Sequence, residues 1–152
     1  EEQQRIKTEL TRSRRYHRPL SLVVIESLGD DEKVAIEMLK GIQHDLMNRF
    51  TSARVGQIID DRIRQTDLVL RDHRGRFVIL CPETDLPSAE LLAKRIIHAI
   101  KERTDLQVLF GVAAFPDEAL TFDDLLHTAR ERLTRSREVS EEKILITESQ
   151  TN

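Results

Sequence analysis

The sequence predicts an α+β domain: a mixed sheet with a central antiparallel hairpin, covered by helices. Short β-branched apolar runs alternate with segments whose apolar residues recur at helical spacing. Two of these runs, "DLVLR" and "RFVILC", flank the turn-forming "DHRG" and read as a β-hairpin. The chain of 152 residues is long enough for one domain with a real core and too short for two. A hairpin set between strand-helix units is the split βαβ theme rather than a doubly wound parallel sheet.

Taken in order, the opening segment 1–17 carries Ile6 and Leu10 among Arg and Lys at helical spacing and predicts a signalling or linker helix. Residues 1–152 are then expected to be a single domain excised from a longer signalling chain. "PLSLVVIES" is a branched apolar run after Pro19, the pattern of a buried central strand. From Asp30 to about Phe50, Val34, Met38, Ile42 and Leu46 recur near the helical period, with "GDDE" as the start. "RVGQIIDDRIRQTD" continues as helix, with Val55, Ile58, Ile59 and Ile63 on one side. After the hairpin, "LPSAELLAKRIIHAIKER" predicts a helix capped by Ser88, with Leu91, Leu92, Ile96 and Ile100 as its core stripe. "DLQVLFGVAAF" reads as a strand, "TFDDLLHTARERLTRSR" as a helix opened by Thr121, and "KILIT" as a last strand.

Composition narrows the function classes. No apolar run approaches the roughly 20 residues that span a bilayer, and "EEQQRIKTEL" lacks the apolar core of a secretory signal. A soluble cytoplasmic domain is expected, free or as the cytoplasmic part of a membrane-anchored protein. Cys81, the single cysteine, precludes an internal disulfide and reads as a small buried hydrophobe. No Cys/His pair stands at ligand spacing, so no structural zinc is expected. The 27 acidic against 24 basic residues, with 4% aromatics, make a weak nucleic-acid footprint. Yet five arginines, Arg62, Arg64, Arg71, Arg74 and Arg76, gather around the hairpin of a chain whose net charge is -3.

"RSRRYHRPLSLVVIE", "RQTDLVLRDHRGRFVILCPETD", "AKRI", "LFGVAAFPDE" and "ARERLTRSR", in that order and spacing, resemble a GGDEF domain, the bacterial diguanylate cyclase module, over nearly the whole chain. The resemblance implies a nucleotide-cyclase-like sheet on a ferredoxin-like core. It departs at the signature itself, where "HRGRF" replaces the glycines and acids. His73 and Arg74 stand at the two glycine positions, Gly75 and Arg76 at the acidic ones, and only Phe77 agrees. Similar cyclases hold two Mg²⁺ ions between a carboxylate ending the first strand and one on this turn. Glu26 matches the first carboxylate, as a relic ligand or a plain strand-end polar residue. Nothing matches the second, and Arg76 would oppose a cation there. No Mg²⁺ and no cyclase activity are expected. Arg137 stands near the lysine that family members use toward the triphosphate.

What the departure leaves intact resembles the family's inhibitory site for cyclic di-GMP. Arg64 and Asp67 match its R-x-x-D, and Arg95 falls at a third contributing arginine. Guanine offers N7 and O6 to an Arg fork, while its N1–H and N2–H₂ need a carboxylate acceptor; phosphates take charge-assisted bonds from Arg. Arg71 is a further candidate contact, with Arg74 and Arg62 behind it. The expected function is a non-enzymatic cyclic di-GMP receptor that acts on a homodimer partner, a partner protein or a neighbouring domain. The alternatives are a ligand-free dimerisation or interaction scaffold, nucleic-acid binding, and residual GTP binding without turnover. An R-x-x-D at a helix terminus is also commonly a local salt bridge.

Overall fold

The computed structural model describes residues 1–28, 52–72, 76–104 and 106–151. The helix expected from Asp30 to about Phe50 lies outside them, as do His73, Arg74 and Gly75. The elements in chain order are α1 (Glu2–Tyr16), β1 (Leu20–Leu28), α2 (52–60), β2 (Leu68–Arg71), β3 (Phe77–Pro82), α3 (Leu86–Arg103), β4 (Gln107–Phe115) and α4 (Phe122–Thr151). The expected fold class is the one observed.

The four described strands form one sheet in the order β2-β3-β1-β4, with every pairing antiparallel. β1 runs through the middle, and its Leu22, Val23, Val24 and Ile25 are fully buried, as an apolar run covered on both faces must be. The period of two sends Val23, Ile25, Ile79 and Val112 to one face, where α2 and α3 pack with Val55, Ile59, Ala93 and Ile96. It sends Leu20, Leu22, Val24 and Leu80 to the other face, against α1 and α4. Two glycines set the helix approach. A Cβ on Gly56 would meet the Phe77 ring at 3.3 Å, and one on Gly111 would lie 1.9 Å from the Ala129 carbonyl oxygen.

Three expectations are corrected. "KILIT" is not a strand but part of the 30-residue α4: no Gly or Pro interrupts Phe122–Thr151, so a short branched run does not stop propagation. Ser88 does not cap α3. Asp85 does, accepting from the Ser88 backbone N–H at 2.9 Å, which makes Ser88 the third helical residue. Leu91 is 56% exposed, because the buried stripe runs Ala89, Ala93, Ile96 and Ile100, where small alanines bring α3 close to the sheet. Thr121 opens α4 as expected, accepting from the Asp124 N–H at 3.1 Å.

Candidate functional site

The chain leaves α2 through a turn whose ends are Arg64 and Asp67. The Arg64 backbone N–H donates to Asp67 Oδ2 at 2.8 Å, and the Asp67 N–H donates to the Arg64 carbonyl oxygen at 3.0 Å. An Asp that bonds backbone three residues back stabilises such a turn without help from other elements. Asp67 is only 7% exposed, whereas the Arg64 side chain is exposed. Arg64 Nη2 donates to Thr84 Oγ1 at 3.0 Å, and Thr84 Oγ1 donates to the Pro82 carbonyl oxygen at 3.0 Å. Ser21 Oγ donates to the Thr84 carbonyl oxygen at 2.7 Å, tying β1 to the same corner.

Asp67 Oδ1 is buried with no hydrogen-bond partner among the described residues. Burial pushes the Asp67 carboxyl above its usual range, opposed by the Arg64 N–H and the Arg64 charge. The Cys81 thiol is pushed up to about 12, by burial first and then by the Asp67 charge, with Arg64 opposing. Cys81 is therefore inert, in line with its expected packing role.

The described hairpin arginines do not form one cluster. Arg62 and Arg64 precede β2, while Arg71 ends it and stacks its guanidinium 4.6 Å from the Phe77 ring centre. Four residues of strand place Arg71 about 13 Å from Asp67. Arg95 lies on the exposed face of α3, about 15 Å along the helix axis from its Asp85 cap. Among the described residues it makes no hydrogen bond or ion pair with Arg64 or Asp67. The structure brings Arg64 and Asp67 together, places Arg71 at the other end of β2, and shows no direct bond from Arg95 to the pair among the described residues.

The far end of the hairpin holds a second charged group. Asp72 is the acceptor at its centre: the Arg76 backbone N–H donates to Oδ1 at 3.0 Å, Arg76 Nε to Oδ2 at 2.8 Å, and Arg130 Nη2 to Oδ2 at 3.3 Å. Glu26, at the end of β1, is ion-paired with Arg137 from α4. The sequence places Arg76 at an acidic position of the signature and Arg137 near the family's triphosphate lysine, and on pattern alone both could equally be solvated surface charges. Arg76 is instead 8% exposed and Arg137 paired. Arg130 and Thr84 were missed although both lie in the quoted segments "ARERLTRSR" and "RQTDLVLRDHRGRFVILCPETD", because their partners Asp72 and Arg64 are fixed by tertiary packing and not by spacing within either segment.

The family described as "Diguanylate cyclase, GGDEF domain" matches residues 53–143, more than half of the chain. The chain belongs to the GGDEF domain family.

Solved GGDEF structures share the fold at low identity. The GGDEF domain of YfiN, or TpbB, from Pseudomonas aeruginosa is 18% identical with a TM-score of 0.75, covering 88% of this chain and 85% of that one. The active GGEEF domain of a diguanylate cyclase from Vibrio cholerae is 16% identical with a TM-score of 0.70, covering 86% and 84%. A microbial GGDEF domain studied for its interaction with cyclic di-GMP is 15% identical with a TM-score of 0.71, covering 90% and 84%. No curated protein matches the chain. Among the described residues, no helix is long and apolar enough to cross a membrane.

Proposed function

We propose that this GGDEF domain is catalytically inactive and acts as a cyclic di-GMP receptor through Arg64, Asp67 and Arg95, passing the signal to a second copy, a partner protein or a neighbouring domain. The observation that carries the reading is the Arg64–Asp67 turn. It sets an exposed guanidinium beside a carboxylate whose Oδ2 is held by the Arg64 N–H and whose Oδ1, buried in this structure, has no donor among the described residues. Guanine needs this donor-acceptor pair, and a cyclic dinucleotide phosphate adds the anion that a fixed Arg fork favours. Arg95 is assigned as a phosphate or stacking partner from the exposed face of α3. The similar microbial domain with cyclic di-GMP supports the ligand class. Loss of turnover follows from "HRGRF": side chains stand at the positions of both glycines, and Arg76 replaces an acid. The domain is expected to be cytoplasmic.

A ligand-free dimerisation or interaction scaffold is the second reading, favoured by the same turn. Reciprocal backbone bonds already give Arg64 and Asp67 a structural use. Calorimetric titration with cyclic di-GMP, run beside GTP plus Mg²⁺, separates the two. A receptor binds the cyclic dinucleotide, loses that binding in Arg64→Ala and turns over no GTP. Absence of binding up to high micromolar concentration favours the scaffold, and formation of cyclic di-GMP from GTP sinks the inactive reading.

A further inference from the structure

We infer that the end of the sheet that carries Asp72, Arg76 and Glu26 is neutralised by the chain's own guanidinium groups, which stand where family cyclases need divalent cations, so that this end neither takes nor requires a metal. The inference does not depend on ligand binding at Arg64, which lies at the opposite end of β2 and β3.

The register supplies the geometry. Phe77 pairs with Ile25 on one side and Arg71 on the other. One row further out stand Glu26, Arg76 and Asp72, and the period of two turns all three toward α4, the side on which Val24, Val78 and Leu70 pack. Two carboxylates thus share the half-closed end of one sheet face, with side chains 23% and 5% exposed. Charge in such a place must be paired and hydrogen-bonded. In a cyclase the pairing could come from metal ions; here it comes from arginines. Arg137 engages Glu26, while Arg76 and Arg130 converge on Asp72, whose two oxygens both accept.

Charge balance points the same way. Among the described residues each carboxylate of this row already has a guanidinium partner, Arg137 for Glu26 and both Arg76 and Arg130 for Asp72, so a dication arriving there would have to displace a paired cation. The unmet groups are donors: Arg130 Nε and Arg137 Nε are buried without an acceptor among the described residues, whereas neither carboxylate has a buried oxygen without a donor. Among the described residues, no three His, Cys, Asp or Glu side chains are grouped to hold a metal. The Mg²⁺ that the fold family implies does not fit these residues.

The test combines Mn²⁺ with a double-mutant cycle. Electron paramagnetic resonance of Mn²⁺ titrated into the wild-type domain is expected to show only the free aquo ion, and the melting temperature to be the same in Mg²⁺ and in EDTA. Urea unfolding of Glu26→Gln, Arg137→Gln and the double variant is expected to give a coupling of about tenfold or more in the unfolding equilibrium constant. Bound Mn²⁺ that disappears in Glu26→Gln overturns the inference through the wild type alone. Absence of coupling between Glu26 and Arg137 overturns it as well, because Arg137 would then not be the counter-cation. Failure of cyclic di-GMP binding at Arg64 touches neither outcome.

Discussion

Arg64 and Asp67 hold each other through their main chains and one side chain at once: Arg64 N–H to Asp67 Oδ2 at 2.8 Å, and Asp67 N–H to Arg64 O at 3.0 Å. The Arg64 guanidinium takes no part in either bond. Its removal therefore leaves the turn closed and costs the bond to Thr84 and the attraction of its charge for the Asp67 carboxylate. Arg64→Ala is expected to lower unfolding stability by less than about 1 kcal/mol, the range of one partly exposed hydrogen bond. Under the receptor reading the same change weakens cyclic di-GMP binding by about tenfold or more, since each lost 1.4 kcal/mol is about tenfold. Urea unfolding and calorimetry on one preparation compare the two effects.

Asp67 gives a pH signature of unusual sign. Its carboxyl is raised above the ordinary 3.8 because burial penalises the anion more than Arg64 favours it. The folded state then binds the proton more readily than the unfolded one. Its contribution is complete below the unfolded value and is lost as pH rises through the folded one. Asp67→Asn keeps an amide oxygen for the Arg64 N–H and removes the titration. Wild type minus Asp67→Asn stability is expected to fall as pH rises above 3.8, and urea midpoints across that range check it.

Local patterns in this chain revealed what local physics controls. Leu22 to Ile25 read as a buried strand because both faces need apolar side chains, and Val55, Ile58 and Ile59 read as a helix stripe because they are covered on one side. "KILIT" misled because three branched residues carry a strand signal that an unbroken helix overrides. The hairpin arginines misled for a different reason: closeness in sequence is not closeness in space along an extended strand. Arg64 and Arg76 sit at opposite ends of the hairpin. Asp72 and Glu26 draw on Arg130 and Arg137 of α4, which lie 58 and 111 residues further along the chain. No short window of sequence contains both sides of such a pair.

Arg76 is expected to be a stability residue. Asp72 is 5% exposed and accepts from Arg76 through both the guanidinium and the backbone N–H. Arg76→Ala removes the guanidinium closest to that carboxylate, but Arg130 and the backbone N–H of residue 76 still donate to it, so the expected loss is about 1–3 kcal/mol, below that of a buried charge left without a partner. Arg130→Ala added to Arg76→Ala leaves Asp72 without either guanidinium and is expected to cost more than the two single losses together. Urea unfolding of the single and double variants reads both.

The two close-approach glycines are expected to differ sharply. At Gly111 an added methyl lies 1.9 Å from the Ala129 oxygen and 2.7 Å from the Leu133 nitrogen, both backbone atoms of α4 that no rotamer change can move. Gly111→Ala must push α4 off β4, and its loss is expected to exceed the roughly 1–3 kcal/mol of ordinary overpacking. At Gly56 the nearest atom is the edge of the Phe77 ring at 3.3 Å, which gives by a few tenths of an ångström. Gly56→Ala is expected to stay within about 1 kcal/mol, since helix propensity returns up to that much. Melting curves of the two variants side by side make the comparison.

Cys81 supplies a label-free position in the native state and a reporter of its loss. Its thiol is fully buried on the α2–α3 face, and its pKa is pushed up to about 12 by burial and by the neighbouring Asp67 charge. The thiolate is the reactive species, so at about pH 8 native Cys81 is both shielded and almost wholly protonated. Alkylation by iodoacetamide is expected to be negligible in the folded domain and rapid in urea, with a rate that follows the unfolded fraction between those limits. Asp67→Asn removes the charge that raises the thiol pKa but leaves the burial in place, so native labelling is expected to stay slow. Fast labelling of the native wild type, measured by intact mass, would show that this face opens without global unfolding.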